Sequence, residues 1–94
     1  MSEVLNGEAV DAAIAERGLE WERHNDELTK TVRRADFAAA LAFVNEVGSL
    51  AEAANHHPDI DIRWDTVTLR LSTHSAGGLT DRDLDLAGAI DRLG

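Results

Sequence analysis

The stretch Asp59-Ile60-Asp61-Ile62-Arg63-Trp64-Asp65-Thr66-Val67-Thr68-Leu69-Arg70-Leu71-Ser72 decides the fold. Ile60, Ile62 and Trp64 alternate with Asp59, Asp61 and Arg63. Beyond Asp65-Thr66, the apolar residues Val67, Leu69 and Leu71 alternate with Thr68, Arg70 and Ser72. Side chains of an extended strand point to opposite faces with a period of two, so each run predicts a strand with one buried face. Two such runs joined by a polar pair predict a hairpin, whose strands are necessarily antiparallel. In this register Trp64 shares the apolar face of Ile60 and Ile62, which predicts core packing for its ring.

Just upstream, Pro58 lacks an amide hydrogen and pushes His57 out of helical backbone angles, so any preceding helix ends by about Asn55 or His56. That helix is marked by steps of three and four through Phe37, Leu41, Val44, Gly48 and Ala51, with a second stripe of Phe43, Val47, Leu50 and Ala54 and Asp36 as its cap. A helix apolar on two sides faces its own sheet and something else. The small residues Ala40, Gly48 and Ala51 would let a second helix approach closely, which predicts a homodimer or homotetramer.

Further towards the start, Leu19 and Trp21 alternate with Glu20 and Glu22. After the polar break His24-Asn25-Asp26-Glu27, the pattern resumes with Leu28 and Val32. This predicts a second strand pair, with Lys30 a misfit on its apolar side and His24 a solvated turn residue. Asn6 as cap, Val10, Ala13 and Ile14 at helical spacing, and Gly18 as a left-handed stop predict a first helix from about 7 to 17. At the other end Gly77-Gly78 breaks the pattern, Thr80 reads as a cap with Asp83 three places on, and Leu86, Ile90 and Leu93 form the stripe of a last helix. The order α-β-β-α-β-β-α predicts an α+β two-layer sandwich, a four-stranded antiparallel sheet with helices on one face. No repeat or linker interrupts it, so residues 1–94 read as one domain.

A chain of 94 residues buries a modest core and often leans on oligomerisation for the rest. Its 44% hydrophobic and 29% charged residues are ordinary for a globular protein. The absence of cysteine excludes disulfides, thiolate metal sites and cysteine nucleophiles. With a formal net charge of −9, the average field repels phosphate backbones and anionic lipid, which disfavours nucleic acid and membrane surfaces as partners. Met1 to Gly7 lack the basic start and apolar centre of a signal peptide, and no apolar run approaches a membrane span, so a cytoplasmic protein is expected.

Three of the four histidines, His56, His57 and His74, fall at the ends of predicted elements, where side chains can be held at a pocket mouth. From spacing alone the pair before Pro58 has two readings: polar residues solvating a helix end, or a catalytic or metal site. His74 alone would read as a surface histidine before a glycine turn. Glu52 or Asp83 could join the imidazoles around zinc, but adjacent histidines fit one tetrahedral ion poorly and no HExxH spacing is present, so no metal is expected.

Glu52-Ala53-Ala54-Asn55-His56-His57-Pro58, then Trp64, His74, Gly78-Leu79-Thr80 and Asp83 resemble the signature of the pterin-4a-carbinolamine dehydratases, intervals included. The resemblance runs without a gap from Glu52 to Asp83. Trp21, Phe37, Phe43 and the tract Leu84 to Leu93 are consistent with it, while Ile60-Asp61-Ile62-Arg63 departs from the aromatic and asparagine of many relatives and bears on the pocket rim. The resemblance implies dehydration of a 4a-hydroxytetrahydropterin to quinonoid dihydropterin, in the recycling of a pterin used by an aromatic amino-acid hydroxylase, with no metal or organic cofactor.

Expulsion of hydroxide needs a proton donor and the new double bond needs a base, tasks that imidazoles perform near neutral pH. The resemblance implies His56 and His74 as acid and base in either order, and His57 as a positioning or auxiliary proton-transfer group. Asp83 and Glu52 then become candidates for fixing imidazole tautomers. Their plainer readings are an acidic residue in a first helical turn and an exposed helix glutamate. Asn55, Pro58, Ser72 and Thr73 correspond to positions lining the pterin, and Trp64 to a wall of the site. The same resemblance carries a non-catalytic alternative, since relatives act as dimerisation cofactors of a transcription factor through the long helix or assist carboxylase assembly.

Overall fold

The computed structural model describes residues 3–94, leaving Met1 and Ser2 of the opening segment outside the described residues. Its elements are α1 (Gly7–Arg17), β1 (Glu22–His24), β2 (Glu27–Arg33), α2 (Phe37–Ala54), β3 (Asp59–Arg63), β4 (Thr66–Leu71) and α3 (Asp81–Asp91), in the predicted order. The strands form one antiparallel sheet in the order β1-β2-β4-β3. Both hairpins therefore lie side by side, with β2 and β4 at the centre.

Register explains which face is covered. Leu28 pairs with Leu71, Lys30 with Leu69 and Val32 with Val67, while Ile60 and Ile62 oppose Leu69 and Val67 from the other side. These positions share one face, and Leu28, Val67, Leu69 and Leu71 are fully buried there. The alternate positions, among them Thr29, Thr31, Thr68 and Arg70, form the polar face. Helices complete the core from the apolar side through Val10 of α1, Ala40, Phe43, Val47 and Ala51 of α2, and Leu84, Leu86, Ala87 and Ile90 of α3. Burying a large aliphatic side chain stabilises by about 1.5–3 kcal/mol, so this layer supplies most of the driving force for folding.

Several expectations need correction. The β3–β4 turn falls at Trp64-Asp65, one residue earlier than predicted, with Trp64 in the left-handed region at φ 54 and 68% exposed. Its ring is thus outside the core, because a two-residue hairpin turn favours positive φ and takes Trp64 out of the strand's alternation. The first strand begins at Glu22, so Leu19 and Trp21 precede it, although Trp21 is buried. On α2 the core face is Ala40, Phe43, Val47 and Ala51: Phe43 and Val47 come from one predicted stripe, Ala51 from the other and Ala40 from neither, while Phe37 and Leu41 are exposed. Ala40 and Ala51 are buried against their own core and cannot serve a second helix. With 18 residues and a mean hydropathy of 1.2, α2 does meet the length and composition of a membrane span, contrary to expectation; its apolar face nevertheless packs on β4 and α3.

Lys30, the misfit, has a partner at the end of α3. Its Nζ lies 2.9 Å from Asp91 Oδ1, with both side chains largely buried. Asp91 also accepts hydrogen bonds from the Trp21 indole and the Glu20 amide, each at 2.9 Å. One carboxylate thus ties the approach to β1, the middle of β2 and the end of α3.

Asp65 anchors the β3–β4 turn by accepting from Arg33 Nε and Thr66 Oγ1, both at 3.0 Å. Burial pushes its carboxyl up, but these donors outweigh that effect and hold it below the usual carboxylate range. A carboxyl lowered on folding contributes stability above its unfolded value, near ~3.9, which is lost as pH falls through the folded value. Asp65→Asn is therefore expected to lower the melting temperature at pH 6 and to flatten its fall below about pH 4. Thermal melts of both chains across that range check this, and parallel curves would remove the role.

Candidate active site

Local sequence delivers the tandem histidines to different environments. Helix α2 ends with Asn55 in the left-handed region (φ 49), the Asn55 amide bonding to the Glu52 carbonyl and the His56 amide to that of Ala51. This is a Schellman-type stop, for which asparagine is a common substitute for glycine. It turns His56 inward, only 7% exposed, and leaves His57 exposed ahead of half-buried Pro58. The Asn55 carbonyl accepts from Arg82 Nη2 at 2.5 Å, fastening the end of α2 to the start of α3.

His56 meets Asp83 across this corner, with Nε2 2.5 Å from Oδ1. Asp83 is fully buried in the first turn of α3 and closes a capping box with Thr80. Its Oδ2 accepts from the Thr80 amide at 3.0 Å and from Thr73 Oγ1 at 2.7 Å. Thr73 Oγ1 lies 2.8 Å from Thr80 Oγ1, and both threonines are buried. The plain reading of Asp83 as a first-turn acid and its reading as an imidazole partner therefore hold together, one carboxylate oxygen serving each. Imidazole, carboxylate and two hydroxyls make one enclosed network, in which no fully buried side-chain polar atom lacks a partner among the described residues.

Glu52 and His57 make a second, exposed pair, Oε2 to Nε2 at 2.5 Å. His74 is exposed in the turn closed by the Thr73–Gly78 bridge, where its carbonyl accepts from the Gly77 amide. As the neighbour of Thr73, it is carried to the same corner by the end of β4. A groove of ≈ 350 Å³ reaches His56 from between α2 and α3, lined also by Leu50, Ala54, Arg82 and Leu86.

Two positions expected at a pterin face hold structural bonds instead. Thr73 spends its hydroxyl proton on Asp83, and Ser72 donates to the Asp26 carbonyl in the β1–β2 turn at 2.8 Å. Trp64 lies beyond the opposite end of β4 from Thr73, about 20 Å away for a six-residue strand, and is not brought to this corner. Spacing marks Thr80 as a helix cap and the family signature includes it; the cap signal placed it correctly but could not reveal the hydroxyl contact with Thr73. His24, solvated as expected, ends β1 and pairs with Glu22 at 3.2 Å.

The family model for Pterin 4 alpha carbinolamine dehydratase matches residues 3–93. The chain belongs to this family. Among its dehydratase-family relatives, a Nocardia farcinica protein named "Putative pterin-4-alpha-carbinolamine dehydratase" is 53% identical over 98% of this chain and 96% of its own. A Roseiflexus castenholzii protein of the same name is 53% identical over 99% of both chains. The fold is similar to a crystal structure described as a transcriptional coactivator/pterin dehydratase from Brucella melitensis, with TM-score 0.88 and 26% identity over 97% of this chain and 98% of that one. It is also similar to a pterin dehydratase-like protein described as a RuBisCO assembly factor in the alpha-carboxysome. There the TM-score is 0.63 at 21% identity, over 80% of this chain and 87% of that one, a likeness of fold alone.

Proposed function

We propose that this dehydratase-family chain, acting as one domain over residues 1–94, converts 4a-hydroxytetrahydropterin to quinonoid dihydropterin by histidine acid–base catalysis. The observation that carries the reading is the buried His56–Asp83 pair, an imidazole held by a carboxylate that is itself bonded on its other oxygen. Held imidazoles suit proton transfer because the correct ring nitrogen is already aimed. His74, exposed at the same corner, supplies the complementary proton step on the substrate. His57 and Glu52, both open to water, return protons to solvent. Asn55 and Pro58 frame the approach beside the tandem histidines. The chemistry needs no metal and no organic cofactor. The substrate is a small pterin supplied by an aromatic amino-acid hydroxylase, in the cytoplasm.

A second reading, a protein-binding role, is favoured by exposed Phe37 and Leu41 on α2. Two apolar side chains one helical turn apart suit a partner helix, and a homodimer or homotetramer built there is compatible with catalysis.

The test is to mix the protein with freshly generated 4a-hydroxytetrahydropterin and follow loss of its ultraviolet band. Accelerated decay that persists in a chelator is expected. Decay no faster than in buffer would overturn the enzymatic reading and leave the binding role.

A further inference from the structure

We propose that Thr80 and Thr73 form a one-way hydroxyl relay that sets the tautomer of His56, leaving Nδ1 as the nitrogen that exchanges a proton with substrate. A hydroxyl has one hydrogen to donate. Thr73 gives its hydrogen to Asp83 Oδ2, which also accepts from the Thr80 amide. The 2.8 Å contact between the two threonine oxygens must then run from Thr80 to Thr73. Thr80 Oγ1 in turn accepts from the Arg82 amide in the first turn of α3. Every link points the same way, from the helix amides through Thr80 and Thr73 to Asp83.

Two donors occupy Oδ2, which leaves Oδ1 as the oxygen that accepts from the imidazole. The proton of the short Oδ1–Nε2 contact therefore rests on Nε2, and a neutral His56 carries its lone pair on Nδ1. That atom has no hydrogen-bond partner among the described residues, and since no fully buried polar atom goes unpartnered, it reaches solvent. Thr80 (0% exposed) and Thr73 (3% exposed) are too enclosed for water to replace a lost hydroxyl readily. Both are positioning residues, acting through Asp83 and not on substrate.

The kinetic part of this inference rests on the dehydratase reading, but the tautomer does not, and the test separates them. Nitrogen-15 NMR of the histidine rings in the intact protein distinguishes the two neutral tautomers without substrate. The folded wild type and Thr80→Ser, which keeps cap and hydroxyl, are expected to show His56 protonated on Nε2. Thr73→Val, which leaves the α3 cap intact, is expected to populate the Nδ1–H form and to lower kcat about 10-fold or more with little change in KM. An Nδ1–H tautomer in the folded wild type overturns the relay whether or not the valine variant folds. So does a folded Thr73→Val with unchanged tautomer. An Nε2–H tautomer in a protein without dehydratase activity supports the relay and removes only its kinetic consequence.

Discussion

Replacing His56 with alanine is expected to lower kcat on 4a-hydroxytetrahydropterin by roughly 10²–10⁴-fold, the range for loss of one positioned acid or base. The ring is the only imidazole of the three that is buried, and it is held from behind by Asp83. Losing it removes a proton-transfer group whose position the fold has fixed in advance. KM should move much less, because an interaction made mainly in the transition state lowers kcat and kcat/KM together. The fold should survive, since Asp83 keeps its bonds from Thr73 and from the Thr80 amide and loses only one of its three partners. Leaving Oδ1 unpaired costs about 1–3 kcal/mol, less than the stability of an ordinary domain. Alanine at exposed His57 should cost less activity than alanine at His56. Single-turnover and steady-state assays on the two variants check the ordering, and equal losses would mean that burial has no bearing on the chemistry.

The largest stability effect is expected at Asp83. Alanine there takes the carboxylate partner from Thr73, the Thr80 amide and His56 Nε2 in a largely buried corner, and opens the capping box of α3 at the same time. Breaking a buried charged network by removing one member costs about 3–5 kcal/mol. Each kcal/mol shifts the melting point of a domain this size by about 4–8 °C, so a fall of roughly 12–40 °C is expected. Asp83→Asn keeps the shape but must turn an NH₂ group towards one of the donors, and should fall between wild type and alanine. Calorimetry of the three chains measures this directly. A fall of only a few degrees for alanine would show that water enters the corner after all.

Where the information is local, the sequence reveals it. The β3–β4 strands, the caps Asn6, Asp36 and Thr80 and the Gly18 stop were all legible because each depends on neighbours within a few residues. The turn between β3 and β4 was misplaced by one residue because apolar Trp64 continues the alternation that its left-handed backbone breaks. Lys30 could not be understood from β2, since the carboxylate that accommodates it arrives with α3. The site divides in the same way. Grouping of His56, His57 and His74 was visible, but no spacing rule connects His56 to Asp83 across 27 positions; only the resemblance suggested it. Ser72 and Thr73 looked available to a ligand because their partners, Asp26 and Asp83, are remote in the chain.

The tie between Lys30 and Asp91 carries a consequence for how this protein could change over generations. A charge left without its partner beneath the sheet is worse than either the pair or an oily replacement for both, because the hydrogen bonds that remain, to Asp91 from Trp21 and the Glu20 amide and from Lys30 to the Glu20 carbonyl, carry no opposite charge. Sequence drift at these two sites should therefore be concerted: descendants would keep both or exchange both, with single replacements passing only as short-lived, weakened intermediates.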